Sequence, residues 1–369
     1  MAASSDEAVA TLEAFARSGS APPGALGVCP RSRKKLAFVF SGQGSQWVGM
    51  GRKLLDDPAF RTGLEGCDVI VKAIAGFSVV EELLRPDERS RVNNTCVGAI
   101  AVFSVQLALA GLWKAVGVVP DMVVGQSLGE VAAAHVAGAL TLEDATRVAV
   151  HRSLLMQRLV GTGRAALIGL PFEEVGRLIG ARTSELHIAA VMSPSSTVIA
   201  GDPDAVDDIV KAMGRRRIFA RMSRIDLPVH TPRLAPLVPD LVAALRSIRP
   251  RPCTIPFVSS LKGRIVGGES LDAAFWGAHL RQPFLFSQAV STAVGEGAAL
   301  FLEISPHPSV VPAIAETLSA ASIEAVILAS MRRDVEEKRY FLDALGHLYV
   351  AGRDVELEQP FVDATARQT

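Results

Sequence analysis

Two short apolar runs, each broken off by a glycine turn, narrow the folds open to this chain more than any other feature. Leu36-Ala37-Phe38-Val39-Phe40 ends in Ser41-Gly42-Gln43-Gly44, and Met122-Val123-Val124 ends in Gly125-Gln126-Ser127-Leu128-Gly129. A continuous apolar run of this length, bounded by glycine, reads as a strand covered on both faces. Apolar residues recur at helical spacing across residues 99–116, 131–140 and 142–159. Buried strands alternating with helices predict an α/β fold with a largely parallel sheet.

Residues 164–225 follow a different pattern. Strands are expected at 165–170, 187–192, 197–200 and 218–223, with helices at 172–179 and 204–213. This β-α-β-β-α-β order is the ferredoxin-like arrangement. A compact unit inserted in a larger α/β domain leaves a cleft at the junction, where ligands often sit. No repeat of fixed period and no low-complexity tract is found. A short Ala/Glu-rich helical stretch, then Gly, Pro, Ser and basic residues at 18–23 and 30–35, read as a linker,. The expected organisation is a linker at 1–34, a large unit from 35–161 and 226–350, a small unit at 162–225, and a tail at 351–369.

Composition serves mainly to exclude. The 369 residues suit two units at about 150 residues each,. The 38 Lys and Arg balance 38 Asp and Glu, so no net field draws the chain to nucleic acid or an anionic membrane,. With 49% hydrophobic and 21% charged residues it is folded, not disordered,. Cys29, Cys67, Cys96 and Cys253 lack CxxC or zinc spacing and read as reduced thiols,. Asp6 and Glu7 interrupt any signal-peptide core,. The apolar stretches are read as broken by Gly, Gln or charge before the ~20 residues a membrane span needs. A cytoplasmic location is expected.

Gly125-Gln126-Ser127-Leu128-Gly129 matches G-x-S-x-G between an expected strand and an expected helix. In that setting the turn pushes the serine hydroxyl out at a helix N-terminus, where the Leu128 N–H can meet a developing oxyanion. A nucleophilic serine needs a base. Seven histidines are available: His135, His151, His187, His230, His279, His307 and His347. Spacing alone does not rank His230, in Leu227-Pro228-Val229-His230-Thr231-Pro232, above His307, in Ser305-Pro306-His307-Pro308. No metal is expected, since no HExxH pair occurs. No nucleotide is expected either, since glycine-rich residues 42–51 lack the P-loop lysine and GxGxxG spacing.

Taken together, Phe40-Ser41-Gly42-Gln43-Gly44-Ser45-Gln46, Gly125-Gln126-Ser127-Leu128-Gly129-Glu130, His151-Arg152-Ser153 and Pro228-Val229-His230 resemble one family. It is the malonyl-CoA:acyl carrier protein transacylase family, and more closely the acyltransferase domains of modular polyketide synthases. Phe275-Trp276, Leu280-Arg281-Gln282-Pro283 and Glu303-Ile304-Ser305-Pro306-His307-Pro308 fall in the same order, so the resemblance spans about residues 35–355. It implies an α/β hydrolase-like core carrying a ferredoxin-like insertion. Leu348-Tyr349-Val350-Ala351-Gly352 resembles the linker after such domains, so a segment of a longer synthase is expected.

The resemblance also implies roles. Ser127 would take an acyl group from coenzyme A and pass it to the phosphopantetheine arm of an acyl carrier protein, with His230 as general base. The N–H groups of Gln43 and Leu128 would form the oxyanion hole, and Arg152 would bind the free carboxylate of a malonyl-type group. The His279 backbone carbonyl would orient His230. Gln126, Leu227, Pro228, Val229, Ala99 and Met156 would shape the acyl pocket. Partners would be the carrier protein, the acyl-CoA and neighbouring synthase domains, with no bound cofactor, and Arg215-Arg216-Arg217 is a candidate carrier contact.

Three positions depart from the family's usual residues: Gln126 replaces histidine, His279 replaces asparagine, and Ala99 replaces a glutamine near the pocket. Pro228 and Leu128 resemble malonyl users, while Val229 leaves room for a 2-substituted malonyl group. A hydrolase that clears stalled carrier proteins and an inactive docking scaffold are the rival readings. Arg152 argues against the hydrolase, and the intact Ser127, His230, Gln43 and Arg152 argue against the scaffold.

Overall fold

The computed structural model describes residues 33–356 and, ahead of them, residues 9, 10, 13, 14 and 17. Most of the expected linker at 1–34 and tail at 351–369 lies outside the described residues, as does Cys29. Strand β1 (Lys35–Phe40) sits inside a six-stranded sheet between β10 (Ala298–Ile304) and β2 (Met122–Gly125), parallel to both. Strand β11 (Val326–Ala329) pairs beyond β10, and β7 (Phe257–Ser259) beyond β2, again parallel. Only the edge strand β8 (Arg264–Ile265) is antiparallel.

The two apolar runs are strands for the reason their composition suggests. Leu36, Phe38 and Phe40 join one buried cluster, while the alternate residues Ala37 and Val39 join the other. Period-two alternation thus fills both faces, and no polar face is left for water. The helices Pro58–Ala75, Thr95–Ala115 and Leu142–Gln157 pack on one another on one side. Phe286–Gly295 and Val311–Ala320 cover the other. The helix expected over 131–140 runs instead over Gly129–Val136, because the chain turns through Gly138 at a φ of 84°.

Thr95–Ala115 corrects the reading of the apolar stretches. It is 21 residues long with a mean hydropathy of 2.0, the one described helix long and apolar enough to cross a membrane. Its glycines, Ser104 and Gln106 do not interrupt it, and the Asn94 side chain caps it by accepting the Cys96 and Val97 N–H groups,. The helix is buried among its neighbours, as a core helix is.

A second sheet of five strands has the order β6-β3-β5-β4-β9. It comprises β3 (Arg164–Ile168), β4 (Leu186–Ser193), β5 (Ser196–Gly201), β6 (Ala220–Met222) and β9 (Phe284–Leu285). The first four pair antiparallel and, with helices Phe172–Ile179 and Pro203–Arg215, reproduce the expected β-α-β-β-α-β order. The fifth strand comes from beyond residue 225 and runs parallel to β4. The small sheet therefore reaches past the 162–225 boundary read from the sequence. A two-residue strand carries too little alternation to be seen in advance.

Candidate active site

The turn after β2 is built by close approach. A Cβ on Gly125 would lie 2.2 Å from Glu130 Cα, and one on Gly129 would lie 2.1 Å from the Phe40 carbonyl oxygen. No side chain fits at either place. Between them Ser127 holds a φ of 53°, a left-handed conformation that costs a non-glycine residue roughly 1–3 kcal/mol,. That conformation turns the hydroxyl toward His230, whose Nε2 is 2.9 Å from Ser127 Oγ.

His230 is itself left-handed, with a φ of 55°. Its loop is closed by the Thr231 hydroxyl, which donates to the Pro228 carbonyl at 2.7 Å. Burial, followed by the charges of Arg152 and His279, pushes the imidazole well below the ordinary histidine range. It is therefore neutral at neutral pH, the state that can accept a proton. The His279 backbone opposes this shift, but among the described residues Nδ1 of His230 makes no hydrogen bond. Among the described residues no other histidine bonds to Ser127: His307 Nδ1 accepts the Arg333 N–H at 3.2 Å and lines a separate cavity of about 500 Å³.

Arg152 lies on the helix Leu142–Gln157 with its side chain buried. Its Nη2 donates to Ser127 Oγ at 3.2 Å, and its Nε has no partner among the described residues. No ion pair to Arg152 occurs among the described residues, and burial pushes the guanidinium down to about 10. It remains charged at neutral pH. A buried cation without a counter-ion is unfavourable until an anion reaches it.

Gln43 follows β1, and its side chain donates to the Thr95 carbonyl at 2.8 Å, pinning the loop to the start of the core helix. Its own N–H, like that of Leu128, has no acceptor among the described residues. The side-chain oxygen of Gln126 accepts the Gly42 N–H at 2.6 Å. Gln126 thus ties the two loops together, a different task from the pocket wall expected of it. Leu227, Val229, Ala99 and Met156 are all buried. Met156 is one turn past Arg152 on the same helical face, and Ala99 is one turn past Thr95. Arg215, Arg216 and Arg217 stay exposed at the end of a helix of the small unit. The described residues hold no His, Cys, Asp and Glu group of metal-binding arrangement.

The profile of the family described as "Acyl transferase domain" matches residues 37–355. The chain belongs to this family. Its relatives include the spectinabilin polyketide synthase system protein NorC of Streptomyces orinoci, 37% identical over 357 residues, which are 96% of this chain and 16% of that protein. Another is erythronolide synthase EryA2 of Saccharopolyspora erythraea, 35% identical over 96% of this chain and 10% of the synthase. The chain thus spans a small part of these polyketide synthases. Among solved structures, the acyltransferase domain from module 8 of the salinomycin polyketide synthase superposes with a TM-score of 0.90. The identity there is 34%, over 96% of this chain and 84% of that one. The loading acyltransferase of the avermectin synthase gives 0.81 and 35%, over 85% of this chain and 99% of that one.

Within this acyl transferase domain, sequence reasoning passed over three contributors. Glu130 closes the elbow motif and is fully buried, its Oε2 accepting the Ser260 hydroxyl at 3.0 Å. Phe284 packs its ring 4.1 Å from that of His230. The signal for Glu130 was its place directly after G-x-S-x-G; nothing in the local pattern points to Ser260 or Phe284.

Proposed function

We propose that this domain moves a dicarboxylic acyl group from coenzyme A to the phosphopantetheine arm of an acyl carrier protein, through an ester on Ser127. The observation that carries the reading is the buried, unpaired Arg152 guanidinium 3.2 Å from the hydroxyl that His230 also contacts. A simple acyl group would give that cation no partner. A malonyl-type group places its carboxylate against Arg152 while its thioester carbonyl meets Ser127.

Ser127 Oγ attacks the thioester carbonyl as His230 Nε2 takes the hydroxyl proton. The oxyanion is received by the N–H groups of Gln43 and Leu128, which need no reorganisation to donate. Collapse breaks the C–S bond, and the coenzyme A thiolate leaves with the proton from His230. The carrier's thiol then gives its proton to His230 and attacks the ester, and Ser127 regains a proton as it departs. No metal or bound cofactor enters either half.

Malonyl is the extender favoured, on the grounds of Leu128 and Pro228, and a 2-substituted malonyl group is the alternative that Val229 leaves room for. A methylene in an apolar pocket is worth only ~1–3 kcal/mol, so discrimination between them is modest. The test is intact-protein mass spectrometry after incubation with malonyl-, methylmalonyl-, ethylmalonyl- and acetyl-CoA, then with a carrier protein. Mass gain from dicarboxylic donors that passes to the carrier is expected. Equal gain from acetyl-CoA removes the dicarboxylic reading, and loss of the acyl group to water in preference to the carrier supports a hydrolase.

A further inference from the structure

Beneath the elbow lies a second buried histidine that the acyl-transfer steps do not use. His279 and Glu130 are both fully buried, and Nε2 of one is 3.4 Å from Oε2 of the other. Glu130 Oε2 already accepts the Ser260 hydroxyl at 3.0 Å and the Leu261 N–H at 3.4 Å. Among the described residues its Oε1 has no donor, and neither ring nitrogen of His279 makes a hydrogen bond of normal geometry. The imidazole is walled in by Trp276, Phe275 and Phe284, with ring centroids 5.0 to 6.3 Å away. In such an apolar box an under-bonded imidazole destabilises the fold relative to a hydrocarbon of similar size.

The contact with Glu130 suggests what offsets the penalty. Burial holds His279 below the ordinary histidine range, the Glu130 carboxylate opposes this and Arg152 adds to it. The Glu130 N–H in turn donates to the Ser127 carbonyl at 2.9 Å. The His279 ring also lies edge-on to that of His230, their centroids 6.3 Å apart. Ser127 and His230 are the two strained residues of the site, and His279 touches the surroundings of both.

We propose that the His279 side chain is a positioning group for acyl transfer: it holds the Glu130 carboxylate, whose residue's N–H fixes the Ser127 carbonyl, and it packs edge-on against the His230 ring. Nucleophile and base are thereby registered through one residue. This rests on the reading of Ser127 as nucleophile. The charged or titratable groups facing His279 are Glu130, His230 and Arg152, so its protonation is coupled to theirs.

The test compares His279→Leu, His279→Asn and Glu130→Gln in the otherwise unchanged chain. Leu keeps the backbone carbonyl and removes both ring nitrogens; acylation kcat should fall about ten- to a hundredfold, as for a slightly misplaced reacting group, with KM nearly unchanged. Asn restores a donor and should recover most of the rate. It also removes an imidazole that, once protonated in acid, lowers His230, so the acid limb of its pH profile should move to higher pH. Glu130→Gln removes the anion facing His279 and should lose part of the rate. A parallel readout is the rate at which phenylmethylsulfonyl fluoride modifies Ser127, which needs no acyl-CoA and so separates failure of this proposal from failure of the acyl-transfer reading. A folded Leu variant with wild-type kcat and modification rate overturns the proposal, as do equal losses in Leu and Asn. If Leu does not fold, wild-type rates and pH profiles in both Asn and Glu130→Gln overturn it.

Discussion

The two sheets hold the site in unlike ways. The parallel sheet sends the chain out of its strands at one edge, so the turns after β1 and β2 bring Gln43 and Ser127 together, as open α/β sheets do at their carboxyl ends,. The small sheet, whose first four strands pair antiparallel, gives no group to the chemistry described above. Its contribution comes through β9, where Phe284 lies against the His230 ring, and through the β4–β5 hairpin, which grips a helix of the large unit. In the proposed reaction one sheet supplies the reacting groups, and the other holds the proposed base from the side. The difference predicts which substitutions abolish the reaction and which only loosen the scaffold.

The largest effect belongs at the end of β2. Ser127→Ala should abolish acyl-enzyme formation with the fold intact, because one hydroxyl is lost and the strained backbone stays. Tryptic mapping after incubation with malonyl-CoA checks this. An acyl group found on a serine of the small sheet would break the division of labour. His230→Ala should slow both half-reactions by the ~10²–10⁴-fold typical of a general base.

Arg152→Ala comes next. Truncation leaves the incoming carboxylate without its partner inside a buried site, a loss of ~2–5 kcal/mol, and each ~1.4 kcal/mol is tenfold. Malonyl transfer should therefore fall well over tenfold, while acetyl or propionyl transfer holds steady or rises. The ratio of the two rates is the measurement, since a general loss of stability lowers both together. Equal losses would make Arg152 a structural residue.

The sequence singles out these three candidate residues, and it does so in different ways. Ser127 stands out because G-x-S-x-G demands glycines at close approach, and at both Gly125 and Gly129 an added Cβ would clash with neighbouring backbone. His230 and Arg152 were separated from their rivals only by resemblance to a family, for a histidine between prolines and an arginine on a helix have no periodicity of their own. The alternation of strands and helices was read correctly because both faces of β1 are apolar. What stayed hidden depends on long-range packing. Phe284 meets His230 across 54 positions of chain, Ser260 meets Glu130 across 130, and the length of helix Thr95–Ala115 was obscured by polar residues that its neighbours bury.

The pH profile sharpens the comparison at a smaller scale. His230 is held low by burial, Arg152 and His279, all belonging to the large unit and its loops. A base must be neutral to accept the Ser127 proton, and a depressed pKa keeps it neutral further into acid. Acylation should stay nearly flat from pH 8 down to about 6.5, where an ordinary histidine would be half protonated, and fall only below that. A rate already halved at pH 6.5 would show that the site is wetter than its burial implies. Arg152→Ala removes one of the positive neighbours, so its acid limb should move to higher pH.

The smallest effect is expected where the small sheet clasps the large unit. The hydroxyls of Ser193, Ser195 and Ser196 all donate to the Glu316 carboxylate, the latter two at 3.1 and 3.2 Å, and Glu316 projects from the helix Val311–Ala320. Glu316 is exposed. Water can therefore replace its bonds, and Glu316→Ala leaves Ser193 and Ser196 bonded to each other at 2.7 Å. The loss should be about 1 kcal/mol, as for a single net hydrogen bond, a fall in Tm of no more than roughly 2–4 °C. Acylation of Ser127 should be unchanged, because no reacting group is attached to this hairpin and Phe284 is held on the opposite side of β4 from β5. Calorimetry and the acylation rate measured on one preparation decide it. A Tm change of the expected size with an unchanged rate keeps the small sheet as a support. A rate loss approaching that of Arg152→Ala would mean that the clasp, and with it the small sheet, sets the geometry of Ser127 and His230 as directly as the parallel strands do.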